Sequence, residues 1–423
     1  MSDTTSRSLS RRKWLKLTGA SSTLGVSGLA GCAGDSGGTS RDTFKFGVVT
    51  SLSGDLRFGG QVTQRGYDLW KNRINEEGGI EVDGDRYEVE LVYNDAQSDP
   101  STGADAASRM ISDENVDALL GPYSSNVSLA VAPITEQNEI PHITGSAETP
   151  QLWENQEFSY TFGTVPTVSI IAEEAASQIL SLEPQAESVY ITGVSEPFSE
   201  STAEAMRAGA EAAGVEVAGF ELNPADADYT NIVSSAKSAD PDVHFHGGHV
   251  GSHISLLGAA EQLDYNPNGF YCHYGVNTGD FKDGAGDNAQ DTFGATVWLP
   301  SIERENGVLF DSPSDYVEAS QSEFDTVPDY TQAGSTAAGI VYQEALGELG
   351  AAPPLSAEDK QELVSILEGV DVDTFYGPVS FATEGEYYHN NAETTPLAIQ
   401  LQENLDPVIV GGDSASEANY PVE

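Results

Sequence analysis

From residue 44 onward, short apolar runs alternate with longer amphipathic segments, and this alternation limits the chain to a few folds. The run at 44–51 reads as a buried strand, of the kind covered on both faces. A turn at Ser53-Gly54 leads into a helical stretch at 61–75. Strands are then predicted at 87–93, 117–120 and 140–144, with helices at 102–112 and 125–138. The rhythm resumes with helices at 168–182, 199–213, 229–238 and 252–263, interleaved with strands at 188–192, 215–222, 243–246 and 270–274. Strands alternating with helices of roughly 10–15 residues build parallel sheets covered on both sides. A chain of 423 residues exceeds one core of about 100–150 residues. The expected fold class is therefore α/β, with two doubly wound parallel-sheet lobes.

Open parallel sheets bind ligands beyond the carboxyl ends of their strands. The loops in that position are 51–59, 121–125, 144–150, 193–199, 247–252 and 274–277. Most carry small or hydroxyl residues next to helix N-termini, where free backbone N–H groups suit a carboxylate. Ordinary capping by Ser and Thr is the other reading of each loop.

The N-terminus carries targeting signals. Ser10-Arg11-Arg12-Lys13-Trp14-Leu15-Lys16 resembles a twin-arginine export signal, with Trp in the aromatic position. The weakly apolar stretch at 17–31 is shorter than the ~20 residues that span a bilayer, and rich in Gly and Ser. It ends in Leu29-Ala30-Gly31-Cys32, which resembles a lipobox whose Cys32 becomes the lipidated first residue. Residues 1–31 are thus expected to be a removable signal and 32–43 a flexible, lipid-anchored tether on the outer face of the membrane.

The formal charge of −49 comes from 67 acidic and 18 basic residues. Nucleic acid is an unsuitable partner, because phosphate binding needs clustered Lys and Arg. Such acidity suits solubility in concentrated salt, where carboxylates hold water and salt screens their repulsion; an acidic interaction surface is the alternative. After residue 31 the lysines are Lys45, Lys71, Lys237, Lys282 and Lys360. The two cysteines define no disulfide framework, and Cys272, beside Phe270 and Tyr271, reads as a buried thiol.

The order of the loops carries a family resemblance. The stretches are Gly47-Val48-Val49-Thr50-Ser51-Leu52-Ser53-Gly54, Asn75-Glu76-Glu77-Gly78-Gly79-Ile80, Tyr93-Asn94-Asp95-Ala96-Gln97-Ser98-Asp99-Pro100 and Gly121-Pro122-Tyr123-Ser124-Ser125. Ile140-Pro141, Pro241-Asp242 and Tyr376-Gly377-Pro378-Val379 follow. In that order they resemble the branched-chain amino-acid binding proteins of ABC transporters, of the type I periplasmic-binding fold. The resemblance implies a three-crossing hinge near 164–167, 296–301 and 376–381. The N-terminal lobe would be 44–164 plus 297–376, the C-terminal lobe 165–296 plus 377–412, and the tail 413–423. It also implies an extracytoplasmic component of an importer. That component captures an amino acid, branched-chain or related, and hands it to permease subunits by hinge closure.

Carried over by position, the resemblance implies that the Ser125 hydroxyl and backbone N–H groups around Ser146 and Glu148 hold a ligand carboxylate. Phe58, Phe198 and His249 match aromatic walls. Tyr274 stands where many amino-acid binders place an acid, and Glu148 where they place a hydroxyl. Glu148 is then either the ammonium partner or one more surface acid. Arg57 reads as a contact for an anionic ligand or as a surface ion pair. The departure at Tyr274 keeps an amide or an amine-free carboxylate open as the solute, and a ligand-sensing receptor open as the role.

Five histidines fall at His244, His246, His249, His253 and His273. His249 and His253 have the i,i+4 spacing of a helical chelate, but no Cys or acid completes a set. Neither a metal nor a cofactor is expected. From residue 44 on, no G-x-S-x-G elbow and no G-x-x-x-x-G-K-[ST] loop supports an enzyme.

Two outcomes follow from the sequence. Cys32→Ser should release the chain from membranes or leave it unprocessed, and Lys at positions 11 and 12 should block export; fractionation of cells checks both. The melting temperature should rise from 0.1 M to molar salt, because much like-charge repulsion is unscreened where the Debye length is ~10 Å; a flat melting curve across that range would contradict it.

Overall fold

The computed structural model describes residues 41–422, apart from 155–157, 306, 392, 413 and 414. The expected signal and the Cys32 site lie outside the described residues. The chain opens with β1 (Thr43–Thr50), α1 (Arg57–Glu76), β2 (Ile80–Val82), β3 (Asp85–Asp95), α2 (Pro100–Ser112), β4 (Ala118–Leu120), α3 (Ser125–Asn138), β5 (His142–Thr144) and β6 (Thr161–Gly163). These strands form one sheet in the order β2-β3-β1-β4-β5-β6. Its centre is parallel, β1 lying between β3 and β4. Phe44, Phe46 and Val48 of β1 pack in one apolar cluster with Tyr67 and Trp70 of α1. Val49 packs in another with Met110 of α2 and Val127 of α3. Successive side chains of a strand point to opposite faces, so a strand covered on both sides reads as a continuous apolar run.

The second set is α4 (Val168–Leu180), β7 (Ser188–Val194), α5 (Pro197–Ala213), β8 (Glu216–Asn223), α6 (Tyr229–Ala239), β9 (Val243–Gly247), α7 (Val250–Gln262), β10 (Gly269–His273), α8 (Gly279–Ala285) and β11 (Phe293–Thr296). The chain then returns to the first lobe with α9 (Pro313–Phe324), α10 (Tyr330–Leu349), α11 (Ala357–Leu367) and the hairpin β12 (Asp371–Asp373)–β13 (Pro378–Ser380). It finishes in the second lobe with β14 (Leu397–Leu401) and β15 (Pro407–Ile409). The second sheet runs β15-β14-β11-β10-β9-β7-β8. Its β14 and β15 are antiparallel to the edge that they extend.

Local signals set many of the helix ends. Asp99 accepts the Thr102 amide at 2.7 Å, Pro100 follows as first helical residue, and Ser356 and Asp359 form a capping box for α11. Helix α10 is different. It is buried along nearly its whole length, so it has no polar face to give it an amphipathic signature, and no such periodicity marks it in the sequence. It packs along α1. A Cβ on Gly339 would lie 2.1 Å from Cδ2 of Trp70, so only glycine lets the two helices approach this closely.

The first connection between lobes is 164–167 and the second begins at Val297. The third runs later than 376–381. The reason is that β13 still pairs with β12, and the segment behind it bridges to β6 through Gly163 and Asn390. Residues 377–391 therefore stay with the first lobe. The crossings are tied together. Asn390 Nδ2 donates to the Val165 carbonyl at 2.8 Å, Asn391 Nδ2 to that of Thr164 at 3.1 Å, and Trp298 Nε1 to that of Phe375 at 3.1 Å. The end of the chain packs on the second lobe, where the Val422 amide donates to Asn268 at 2.8 Å.

One buried carboxyl organises the first lobe. Asp117, 1% exposed, accepts from the Lys45 amide at 2.8 Å, the Leu355 amide at 2.8 Å and Arg41 at 2.6 Å. It joins β1, the approach to β4 and the approach to α11. Asp117→Ala should cost about 3 kcal/mol, because two amides and a partly buried guanidinium lose their partner. Thermal or denaturant unfolding in molar salt checks this.

Candidate functional site

Parallel strands deliver the loops that follow them to one edge of each sheet, and here the two edges face each other. The loop after β1 is held by Asp95, which accepts from the Leu52 and Gln97 amides at 2.8 Å and the Ser53 hydroxyl at 2.6 Å. Burial works against ionisation of Asp95, but the Ser53 hydroxyl and these amides outweigh it and hold the carboxyl below its usual range. At the start of α1 a Cβ on Gly60 would sit 1.8 Å from the Ser51 carbonyl oxygen, so glycine allows the helix to close against this loop. The cleft side of α1 carries Phe58, half-buried against the apolar cluster of the second lobe.

Ser125 is the first residue of α3 and 2% exposed. Its hydroxyl oxygen accepts the amides of Glu148 and Thr149, both at 3.2 Å. A serine hydroxyl has two acceptor sites and one proton, so this proton is left for a further acceptor. Ser146 faces inward to its own lobe, its hydroxyl donating to the Pro122 carbonyl at 3.4 Å. Its amide turns to Thr144 at 3.3 Å.

Glu148 is 3% exposed and reaches toward the opposite lobe. Its Oε1 accepts from Tyr330 at 2.9 Å. Its Oε2 lies 3.5 Å from Nε2 of His273, in the second lobe, and has no hydrogen-bond partner; neither ring nitrogen of His273 has one. Glu148 is thus a buried residue of the interlobe junction and not a surface acid.

The second lobe supplies an aromatic wall. Phe198 stands in the first turn of α5 and stacks on His249 with ring centroids 4.9 Å apart. Tyr274 follows β10 and meets Phe198 edge-on at 6.2 Å. Tyr123 of the first lobe crosses to both, at 2.9 Å from His249 Nδ1 and donating to the Tyr274 hydroxyl at 3.2 Å. Burial keeps the phenols of Tyr123, Tyr274 and Tyr330 neutral by raising their pKa values far beyond the usual range. Behind His249, Glu196 Oε1 lies 3.6 Å from Nε2 and caps α5 through the Ser199 amide at 2.7 Å.

The structure brings together Ser125, Glu148, Phe198, His249 and Tyr274. It turns Ser146 inward and leaves Arg57 exposed on the outside of α1. His253 is not a partner of His249. It is fully buried and packs edge-on against His246 at 5.2 Å. His244 and His246 share a face of β9 and both meet the Thr192 hydroxyl, at 2.9 and 2.8 Å. Burial pushes both imidazoles down to about 3, the neighbouring His246 adding to the effect on His244. Cys272 is buried, and its thiol is pushed up by that burial. Among the described residues no group of three His, Cys, Asp or Glu side chains is arranged to hold a metal, and no helix is long and apolar enough to cross a membrane.

Two facing lobes of this topology, with buried polar groups between the strand ends, agree with a match of residues 43–398 to the periplasmic binding protein family model. The chain belongs to the periplasmic binding protein family. It is 24% identical over 352 residues to the Leu/Ile/Val-binding protein BraC3 of Rhizobium johnstonii, covering 80% of this chain and 88% of that protein. Among solved structures, the leucine-binding protein LivK of Thermotoga maritima superposes with a TM-score of 0.74 at 19% identity, covering 87% of this chain and 97% of that one. A benzoate-bound solute-binding protein of an ABC transporter from R. palustris gives a TM-score of 0.73 at 16% identity, covering 89% and 98%. The fold is the type I periplasmic-binding fold, and the site lies where this binding protein's two lobes meet.

Tyr123, Glu196 and Tyr330 are junction residues that motif reading does not single out. Tyr123 stands two residues before Ser125 in the loop after β4, a position that could have flagged it. Tyr330 opens α10, some 180 residues beyond Glu148, and no local pattern links it to the cleft.

Proposed function

We propose that this binding protein captures a small α-amino acid, branched-chain or related, outside the cell and delivers it to the permease of an ABC importer, held to the membrane by lipid on Cys32. The observation that carries this reading is the presence of two buried polar groups, Ser125 and Glu148, at the lobe junction. Ser125 has a hydroxyl proton free for a carboxylate, its oxygen being engaged by two amides. Glu148 has a buried oxygen with no hydrogen-bond partner, 3.5 Å from His273 Nε2, available to an α-ammonium. Opposite charges at the two ends of a zwitterion suit such a pair, and Glu148 stands in for the acid absent at Tyr274. The names of BraC3 and LivK agree with it. Hinge closure couples capture to delivery, since Tyr123, Glu148 and Tyr330 of one lobe meet His249, His273 and Tyr274 of the other.

A second reading has its own support. The wall of Tyr123, Phe198, His249 and Tyr274 is aromatic, and a neighbour of the same fold holds benzoate. An amine-free aromatic carboxylate would use Ser125 and the wall but not Glu148.

Calorimetric titration in molar salt separates the two. Ser125→Ala should weaken any carboxylate ligand by about 1.5–3 kcal/mol, the range for a hydrogen bond to a charged group, and should lower the melting temperature by leaving two amides unpaired. Glu148→Gln should weaken L-leucine or L-isoleucine and spare benzoate, and Tyr274→Phe should cost less than either. If Glu148→Gln leaves amino-acid binding untouched while benzoate binds and needs Ser125, the aromatic-acid reading replaces the first.

A further inference from the structure

A groove of about 670 Å³ lies between the lobes. The first lobe contributes the start of α1 and the start of α10, and the second lobe contributes α8 and the segment after β11. Part of its wall is apolar, from Phe58, Val62, Leu299 and Val327. Val327 is 61% exposed, unlike the apolar side chains of the core. Asp329 also belongs to the wall. It is 5% exposed; its Oδ1 caps α10 by accepting the Gln332 amide at 2.8 Å, and its Oδ2 has no hydrogen-bond partner.

A buried carboxyl oxygen without a donor is costly to keep, and a ligand that supplies the donor removes that cost. The charges around it select the sign of such a ligand. Beside Asp329 the groove carries Asp280, Asp283, Asp325 and Asp406, against Arg65 and Lys282. Arg65 is committed in part to Gln332, its Nε donating to Oε1 at 3.4 Å. An apolar wall that ends at an unpaired carboxylate fits a cation on a short alkyl stem.

We propose that this groove is a subsite for an alkyl-ammonium or guanidinium group, with Asp329 as its counter-ion. The group is carried either by the solute itself or by a free amine. The inference rests on the cleft being the solute site and extends it outward past Tyr274 and Tyr330. The two carboxyls divide the work: Glu148 faces the α-ammonium within the junction, and Asp329 faces a second cation in the groove.

The pH dependence has a defined sign. Burial raises the Asp329 carboxyl to about 6, opposed by the Gln332 and Thr331 amides and by Arg65, with Glu148 adding to the rise. Only the ionised form pairs with a cation. Affinity for the amine is therefore present above about pH 6 and lost as the pH falls through it. The groups facing Asp329 are Arg65 from α1, Glu148 of the same lobe, the neutral phenols of Tyr274 and Tyr330, and Lys282 with its acidic neighbours on α8.

The test is titration of the mature chain with L-lysine, 1,5-diaminopentane, L-leucine and benzoate, comparing wild type with Asp329→Asn. Asparagine keeps the cap on α10, so an unchanged melting temperature without ligand shows that folding is intact; Asp329→Ser serves as a second variant. The expected result is a loss of at least tenfold for the amine, a change under twofold for L-leucine or benzoate, and a tenfold weakening of the amine from pH 7.5 to 5. L-lysine that displaces L-leucine and depends on Asp329 assigns the cation to the solute. Diaminopentane that binds alongside saturating L-leucine assigns it to a free amine. Amine affinity equal in wild type and Asp329→Asn, or no amine binding at all, overturns the inference. L-Leucine or benzoate binding that is insensitive to Ser125→Ala counts against the cleft reading instead.

Discussion

A parallel strand delivers its following loop to the same edge as its neighbours do, and the whole site depends on that constraint. In the first lobe β1, β4 and β5 place Phe58, Ser125 and Glu148 on one edge. In the second, β7, β9 and β10 place Phe198, His249 and Tyr274 on the facing edge. Right-handed crossovers leave few other arrangements for such a chain. The helices covering the sheets then point their N-termini toward the gap, so amides and capping side chains collect where a solute binds.

The gap holds buried polar groups that lack full hydrogen bonding. Elsewhere an interior acid such as Asp117 has donors on both oxygens. At the junction Glu148 and Asp329 each keep one oxygen without a donor, and His273 keeps two nitrogens without partners. Such groups are expensive inside a protein unless something satisfies them. They lie where the two lobes meet, so under the proposed function lobe closure desolvates the acids and a cation on the ligand offsets that cost.

Much of the framework was legible in the sequence because it rests on local rules. The runs at 117–120 and 243–246 are apolar and bounded by turns, and they are strands β4 and β9. The helix predicted at 125–138 has those ends, its last residue followed by Glu139 in the left-handed region. The later part was less legible for a physical reason. Helix α10 is buried on all sides and so has no amphipathic period. The third crossing runs behind β13 because strand pairing with β12, a non-local interaction, holds residues 377–391 on the first lobe. Site residues followed the same division. Ser125 and Phe198 lie in the loop-to-helix turns that parallel sheets favour. Tyr330 reaches the cleft, and Asp329 the groove beside it, only because α10 packs along α1, through Gly339 and Trp70.

The sequence by itself determined the alternation of strands and helices, the two lobes, and the loops from which the cleft is made. Periodicity and turn chemistry are local properties of neighbouring residues. The tertiary structure decided which polar groups are left without partners. Ser125 keeps its proton because two amides from another loop take up its oxygen. Glu148 is buried because a second lobe closes over it, and Asp329 faces a groove because α8 of that lobe stands opposite. Burial and hydrogen-bond satisfaction depend on contacts between residues far apart in the chain, and no local pattern encodes them.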